Sequence, residues 1–260
     1  MTIGVLALQG SFNEHLKGMH SLLFSLKALR KLGAKGVEVR KAEQLEGIRA
    51  LIIPGGESTA MAKLAEYLNL FPALRKFVKS GKPVWGTCAG LIFLADRADG
   101  QKEGGQELVG GIDCKVHRNY FGSQLDSFEV EIPIPVLVAQ EGGPETFRGV
   151  FIRAPAVVEV GPEVQVLAEC RVMSSAKQTN QETVSEKFQP PFPPPPDGEV
   201  VVIALRQGNI LGTAFHPELT ADTRWHSFFL KMLGESSDSH AVAADSEDNN
   251  PKNPDLPVFQ

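Results

Sequence analysis

Short apolar runs alternate with helix-spaced segments through the first hundred residues, and this alternation restricts the fold more than any other feature of the chain. Ile3–Leu8 reads as a buried strand. A helix is predicted from about Ser11, where "SFNE" supplies a capping box with Ser11 as N-cap and Glu14 three residues on. Val37–Arg40 and "ALIIP" (Ala50–Pro54) are the next strands. "STAMAKLAEYLNL" then carries apolar residues at helical spacing, and "KPVWG" is a strand running into the helix "AGLIFLA". Parallel strands need long crossovers, and a helix packed on the sheet supplies them. The expected fold is therefore α/β: a doubly wound, mostly parallel sheet with helices on both faces.

From about Gly110 to Ala168 the runs shorten and gain Val, Ile and Pro, which predicts antiparallel additions to that sheet. "VVVIAL" and "ILGTAF" read as a late strand pair turning at "RQGN". A closing helix from about Asp222 sets Trp225, Phe228, Phe229, Met232 and Leu233 on one stripe, read as core rather than as a cofactor box. The expected organisation is one domain over residues 1–233, interrupted by a Pro-rich loop at about 174–198. "QPPFPPPPDG" there excludes helix and central strand; it reads as a stiff surface loop, with a ligand for a proline-binding domain as the alternative. Residues 234–260 are polar and acidic and are expected to form a disordered tail.

Composition removes several classes of function. A net charge of −5 argues against a nucleic-acid footprint or a polybasic membrane surface. No apolar run approaches the roughly 20 residues that span a bilayer, and "MTIGVLALQG" lacks the marks of a secretory signal. Cys88, Cys114 and Cys170 are odd in number and widely spaced, without a CxxC pair. Neither a disulfide framework nor a zinc site is expected, and neither metal nor cofactor is implied. A cytoplasmic protein fits these features.

One of the three cysteines is framed differently. In "PVWGTCAGLIFLA", Cys88 stands between Gly86 and Gly90, at the junction of a strand and a helix. This is the thiol form of a nucleophile elbow, and the helix N-terminus favours thiolate over thiol. A buried small residue in a packed core is the alternative. A nucleophile needs a base, and His216 in "TAFHPELTAD" is the candidate. Pro217 biases His216 toward extended geometry, so His216 and Glu218 are expected on one side, the carboxylate orienting the imidazole. It also needs an oxyanion site. "IIPGGEST" ends a strand in a double glycine, so the Gly55–Gly56 peptide and the Ala89 N–H are candidates. A phosphate cradle is the rival there, although no Walker-type lysine follows and Glu57 would repel phosphate.

Together these segments resemble the class I glutamine amidotransferases, and within them the glutaminase subunits of pyridoxal 5′-phosphate synthases. The resemblance runs through "LALQGSFNEH", "IIPGGEST", "GTCAGLIFLA", "HRNYFGSQ", "GVFIRAP" and "AFHPELTADTRWH", while "DLPVFQ" looks like the ending of plant-type members. It implies that Cys88 attacks the side-chain amide of L-glutamine, releasing ammonia and leaving a glutamyl thioester. His216 would be the acid and base, oriented by Glu218. Gly55, Gly56 and Glu57 would bind glutamine with Arg118, Ile152 and Arg153, whose reading without the family is surface ion pairing for the two arginines. Gln9 would support the oxyanion peptide. The family's glutaminase docks on a (β/α)₈-barrel synthase in a large hetero-oligomer, which receives the ammonia for vitamin B6 synthesis and completes the oxyanion hole. Weak activity of the chain alone is therefore expected. A stand-alone cysteine hydrolase or peptidase, and a docking-impaired non-catalytic subunit, are the alternatives.

The chain departs from the family at one place. "GMHSLLFSLK" (Gly18–Lys27) intervenes between "SFNEH" and "ALRKLG", with Met19, Leu22, Leu23, Leu26 and Leu29 at helical spacing. The insertion either lengthens the first helix or loops out at Gly18. Ten added residues fall about 80° short of three turns, so a lengthened helix would present a rotated downstream face.

Overall fold

The computed structural model describes residues 1–8, 12–100, 105–121, 127–172 and 199–244. Gln9, Ser11 of the expected capping box, and the Pro-rich loop lie outside the described residues.

Five strands make the parallel part of the main sheet: β1 (Thr2–Leu6), β2 (Lys35–Val39), β3 (Ala50–Ile53), β4 (Val84–Thr87) and, from late in the chain, β12 (Ile210–Thr213). They stand in the order β2-β1-β3-β4-β12. Every residue of β3, β4 and β12 is buried, which explains why these runs are mostly apolar rather than alternating, with Thr87 and Thr213 as their buried polar ends. Helices α1 (Phe12–Lys31), α2 (Ser58–Tyr67), α3 (Phe71–Lys79) and α4 (Ala89–Leu94) belong to the connections between them.

Beyond β12 the sheet changes sense, as the Val- and Pro-rich middle of the chain predicts, until its outermost pair is parallel again. β11 (Glu199–Gln207) pairs antiparallel with β12, and Gly208 makes the turn with φ +54°. Then follow β9 (Ala156–Val160), β6 (Ile112–His117) and β5 (Ala95–Asp99), with β10 (Gln165–Val172) branching from β11. A separate hairpin-like pair, β7 (Ser127–Pro133) and β8 (Thr146–Ile152), flanks α5 (Pro135–Glu141). Among the described residues no helix is long and apolar enough to cross a membrane.

The structure settles one open alternative and corrects one expectation. The first helix runs unbroken through residues 18–27, so that segment lengthens it and does not loop out at Gly18. Its buried positions include Leu22, Ser25 and Leu29, whereas Leu23 is exposed; packing against β2 fixes a narrower face than apolar spacing suggests. The closing helix, α6 (Arg224–Ala244), continues past Gly234, where the tail was expected to begin. One glycine costs a helix only about 1 kcal/mol, and the Ala-rich "HAVAA" beyond it favours continuation. The expected aromatic stripe of α6 is core, with Trp225, Phe228, Phe229, Met232 and Leu233 all buried.

That core also contains a histidine. His226 is 1% exposed, its ring edge-on to Trp85 at 4.9 Å between centroids. Burial lowers its pKa to about 4, against the opposing pull of the Glu218 charge. Its unfolded value is near 6.5, so between those values the unfolded chain binds the extra proton and stability falls as the solution is acidified. The gap corresponds to about 3 kcal/mol. His216 titrates in the opposite direction but is common to wild type and variant. His226→Phe, which keeps an aromatic ring against Trp85, should recover about 2 kcal/mol of the stability lost between pH 7 and 4.5. Denaturant melts at the two pH values measure it; identical losses in both proteins would show that His226 is not the acid-sensitive group.

Candidate active site

β4 ends at Thr87 and α4 begins at Ala89, so the chain reverses within one residue. That residue is Cys88, at φ 50° and ψ −105°. A non-glycine residue there stores about 1–3 kcal/mol of strain. The surroundings hold it: the Cys88 N–H donates to the Thr213 carbonyl at 2.8 Å, and its own carbonyl accepts from the Leu91 and Ile92 N–H groups at 3.1 and 3.3 Å. The flanking glycines permit the approach of α4 to the sheet. A Cβ on Gly86 would press into the Gly90 backbone, and one on Gly90 would overlap the Ile53 carbonyl.

The imidazole arrives from the end of β12. His216 is held by its own N–H, which donates to the Val150 carbonyl of β8 at 2.8 Å. Pro217 then starts a single 3-10 turn, Pro217–Leu219, a position that suits proline. The expected extended His-Pro-Glu geometry is thus corrected, because the turn, not strand alternation, swings Glu218 back to His216. Nδ1 of His216 and Oε1 of Glu218 lie 2.8 Å apart. His216 is 7% exposed and Glu218 3%. Burial opposes the imidazolium, yet the neighbouring Cys88 sulfur and then the hydrogen-bonded Glu218 carboxylate outweigh it. The pKa of His216 rises well above its ordinary value. With Nδ1 on Glu218, Nε2 is left for the sulfur.

The double-glycine turn closes on this pair. The Gly55 N–H donates to Thr87 Oγ1 at 3.1 Å, and its Cα lies so near that a Cβ would be 3.1 Å from His216 Nδ1 and 3.3 Å from Cys88 Cβ. Glu57 caps α2, accepting from the Thr59 and Ala60 N–H groups at 3.1 and 2.7 Å. Burial raises its pKa, but those N–H groups, the Thr59 side chain and the Arg118 guanidinium prevail and hold it below the usual value. Arg118 Nη2 reaches Glu57 Oε1 at 3.3 Å and Thr59 Oγ1 at 3.1 Å.

A cleft of about 430 Å³ collects these parts. Gly55, Gly56 and Glu57 line it with Cys88, Ala89 and His216, and so do Arg118, Ile152 and Arg153. Glu218 sits behind the imidazole, and Gln9 is outside the described residues. Every other residue singled out from sequence is therefore at one place. The Cys88 Sγ lies 3.9 Å from the Ile152 carbonyl. Non-glycine residues with positive φ are Asn69, Cys88, Asn119 and Arg153 among the described residues, and all but Asn69 line this cleft. Strain concentrated in this way marks a functional site. Sequence reasoning missed Asn119, Thr59 and Thr87. Asn119 adjoins Arg118, and Thr87 stands inside the G-x-C-x-G frame, so adjacency was the available signal. Among the described residues no cluster of three His, Cys, Asp or Glu is arranged to hold a metal.

A cysteine on a strand–helix turn and a histidine paired with a carboxylate, on one cleft at the carboxyl edge of parallel strands, are an arrangement suited to thiol-dependent acyl transfer. Comparison with known proteins narrows the class. Residues 5–235 match the model of the SNO glutamine amidotransferase family, and the chain belongs to that family. It is 61% identical over 269 aligned residues, covering all of both chains, to the Arabidopsis thaliana protein named "Probable pyridoxal 5'-phosphate synthase subunit PDX2". It is 44% identical to the pyridoxal 5′-phosphate synthase subunit PdxT of Moorella thermoacetica, over 90% of this chain and all of that one. A crystal structure of a glutamine amidotransferase superposes with a TM-score of 0.65 at 39% identity, covering 89% of this chain and 98% of the other.

Proposed function

We propose that this chain is the glutaminase subunit of a pyridoxal 5′-phosphate synthase. It hydrolyses L-glutamine to L-glutamate and ammonia and passes the ammonia to a barrel-type synthase partner within a hetero-oligomer. The observation that carries the reading is the convergence on one cleft of Cys88 and of His216 with its hydrogen-bonded partner Glu218, the carboxylate buried behind the ring and the sulfur on the cleft wall. Its three unpaired cysteines suit the reducing cytoplasm.

The thiolate of Cys88 attacks the side-chain carbonyl carbon of glutamine, forming the C–S bond and moving the carbonyl π pair onto oxygen. The Gly55–Gly56 peptide and the Ala89 N–H, at the start of α4, receive that oxyanion. As it collapses, the imidazolium of His216 gives its proton to the departing nitrogen, and ammonia leaves a glutamyl thioester. Water then attacks the thioester and one of its protons passes to His216; the C–S bond breaks to restore the thiolate–imidazolium pair, and the carboxylic acid formed loses the other proton, which the released ammonia takes up in solution, to give glutamate. Arg118 and Arg153 meet the substrate α-carboxylate and Glu57 its α-ammonium. The Ile152 carbonyl, near the sulfur, accepts from the carboxamide N–H, which glutamate lacks. That acceptor favours the amide over the acid.

The test is glutamine-dependent ammonia release by the purified chain, with and without the synthase subunit. Release should be weak alone and rise severalfold or more when the partner is added. An equal rate in both conditions would instead indicate a stand-alone cysteine hydrolase.

A further inference from the structure

We propose that Thr87 is a positioning residue for the glutaminase reaction, and that its hydroxyl sets the oxyanion turn against the nucleophile. The inference rests on the functional reading above. β3 ends at Ile53, and Pro54, next in the chain, has no N–H to give. Gly55 therefore carries the first donor after the strand, in buried surroundings where an unpaired N–H is costly. Thr87 Oγ1, 3.1 Å away, accepts it.

Three features make this bond more than local satisfaction. Thr87 is the last residue of β4 and directly precedes Cys88, so it moves with the nucleophile. It is 1% exposed and, being β-branched, has a stiff χ1, so its hydroxyl is a fixed point. The glycine that it holds is wedged against both the His216 ring and the Cys88 Cβ, without room for a side chain. Drawing the Gly55 N–H toward Thr87 also commits that donor away from the cleft and assigns the oxyanion to the next one, on Gly56. Thr87 does not line the cleft. Its effect is on where the turn stands when charge develops on the substrate oxygen.

Thr87→Val keeps the shape and removes the acceptor. With the synthase subunit saturating, kcat should fall by about 10- to 100-fold, since small misplacements at the reacting centre cost this much. KM for glutamine should stay within about threefold, because Arg118 and Glu57 are untouched. Thr87→Ser, which restores the hydroxyl, should recover most of kcat; Thr87→Ala should resemble Val and replaces it in the comparison if Val fails to fold. The kcat/KM split and the serine rescue are readouts that loss of core packing alone would not produce. Wild-type kcat in the folded Val or Ala variant, or a serine variant as slow as alanine, overturns the proposal. If the wild-type chain with its partner releases no ammonia from glutamine, the functional reading fails instead.

Discussion

Cys88→Ala should reduce glutamine-dependent ammonia release by about 10⁴- to 10⁶-fold while leaving the protein folded. The size of the effect follows from the chemistry: without sulfur there is no thioester, and what remains is the contribution of the oxyanion donors and substrate binding to direct attack by water. Folding should survive because alanine fits the Cys88 site, which is only 6% exposed, and preserves the Cβ near Gly55. Alanine has the same difficulty at φ 50° that cysteine has, so the strain at the elbow is unchanged. The loss also acts on His216, whose imidazolium is supported first by the Cys88 charge and then by Glu218, both against burial. Without the thiolate its pKa should move down. Ammonia release in the presence of the synthase subunit, with thermal melting as the control, measures both halves. Residual activity within 100-fold of wild type in a folded variant would remove Cys88 from the role of nucleophile.

The parallel part of the fold was legible because its strands are covered on both sides. β3, β4 and β12 read as mostly apolar runs, and the helical segments between the parallel strands leave few ways to connect them. The order β11-β9-β6-β5 was not legible, because it depends on pairings between distant segments that share no local signal. Helical spacing grouped Leu23 with Leu22 and Leu29, yet the helix face is chosen by what packs against it: Leu23 is exposed and Ser25 is buried. At the site, the residue types were readable and the geometry partly so. Cys88 announced itself by its glycines. The His-Pro-Glu segment gave the right pair through the wrong conformation, since proline suits both an extended predecessor and the first position of a helical turn. The positive φ values of Asn119 and Arg153 had no glycine to signal them. His226 stood within an aromatic stripe, where neither its burial nor the reach of the Glu218 charge could be inferred from spacing.

The orienting carboxylate provides the sharper test of the relay. Glu218→Gln changes almost no volume, and glutamine can still place an oxygen or a nitrogen near His216 Nδ1. It cannot carry charge. Two consequences follow. One support of the imidazolium is lost, so the pKa of His216 falls as burial regains ground. If the amide nitrogen turns toward Nδ1, the ring is held in the tautomer that leaves its proton on the sulfur side, and the base toward water is gone. Ammonia release should fall by about 10³- to 10⁴-fold. The residual activity should also lose its alkaline side at lower pH than the wild type, because His216 gives up its proton sooner. Glu218→Asp should not restore the rate, because the shorter side chain draws the carboxylate about 1.5 Å back from a contact now at 2.8 Å. The pH profile separates this role from mere packing: a core defect lowers the rate at every pH without moving the limb. An unmoved limb, or a loss smaller than tenfold, would place the orienting group elsewhere, and buried His226, close enough to feel the Glu218 charge, would be the next residue to replace.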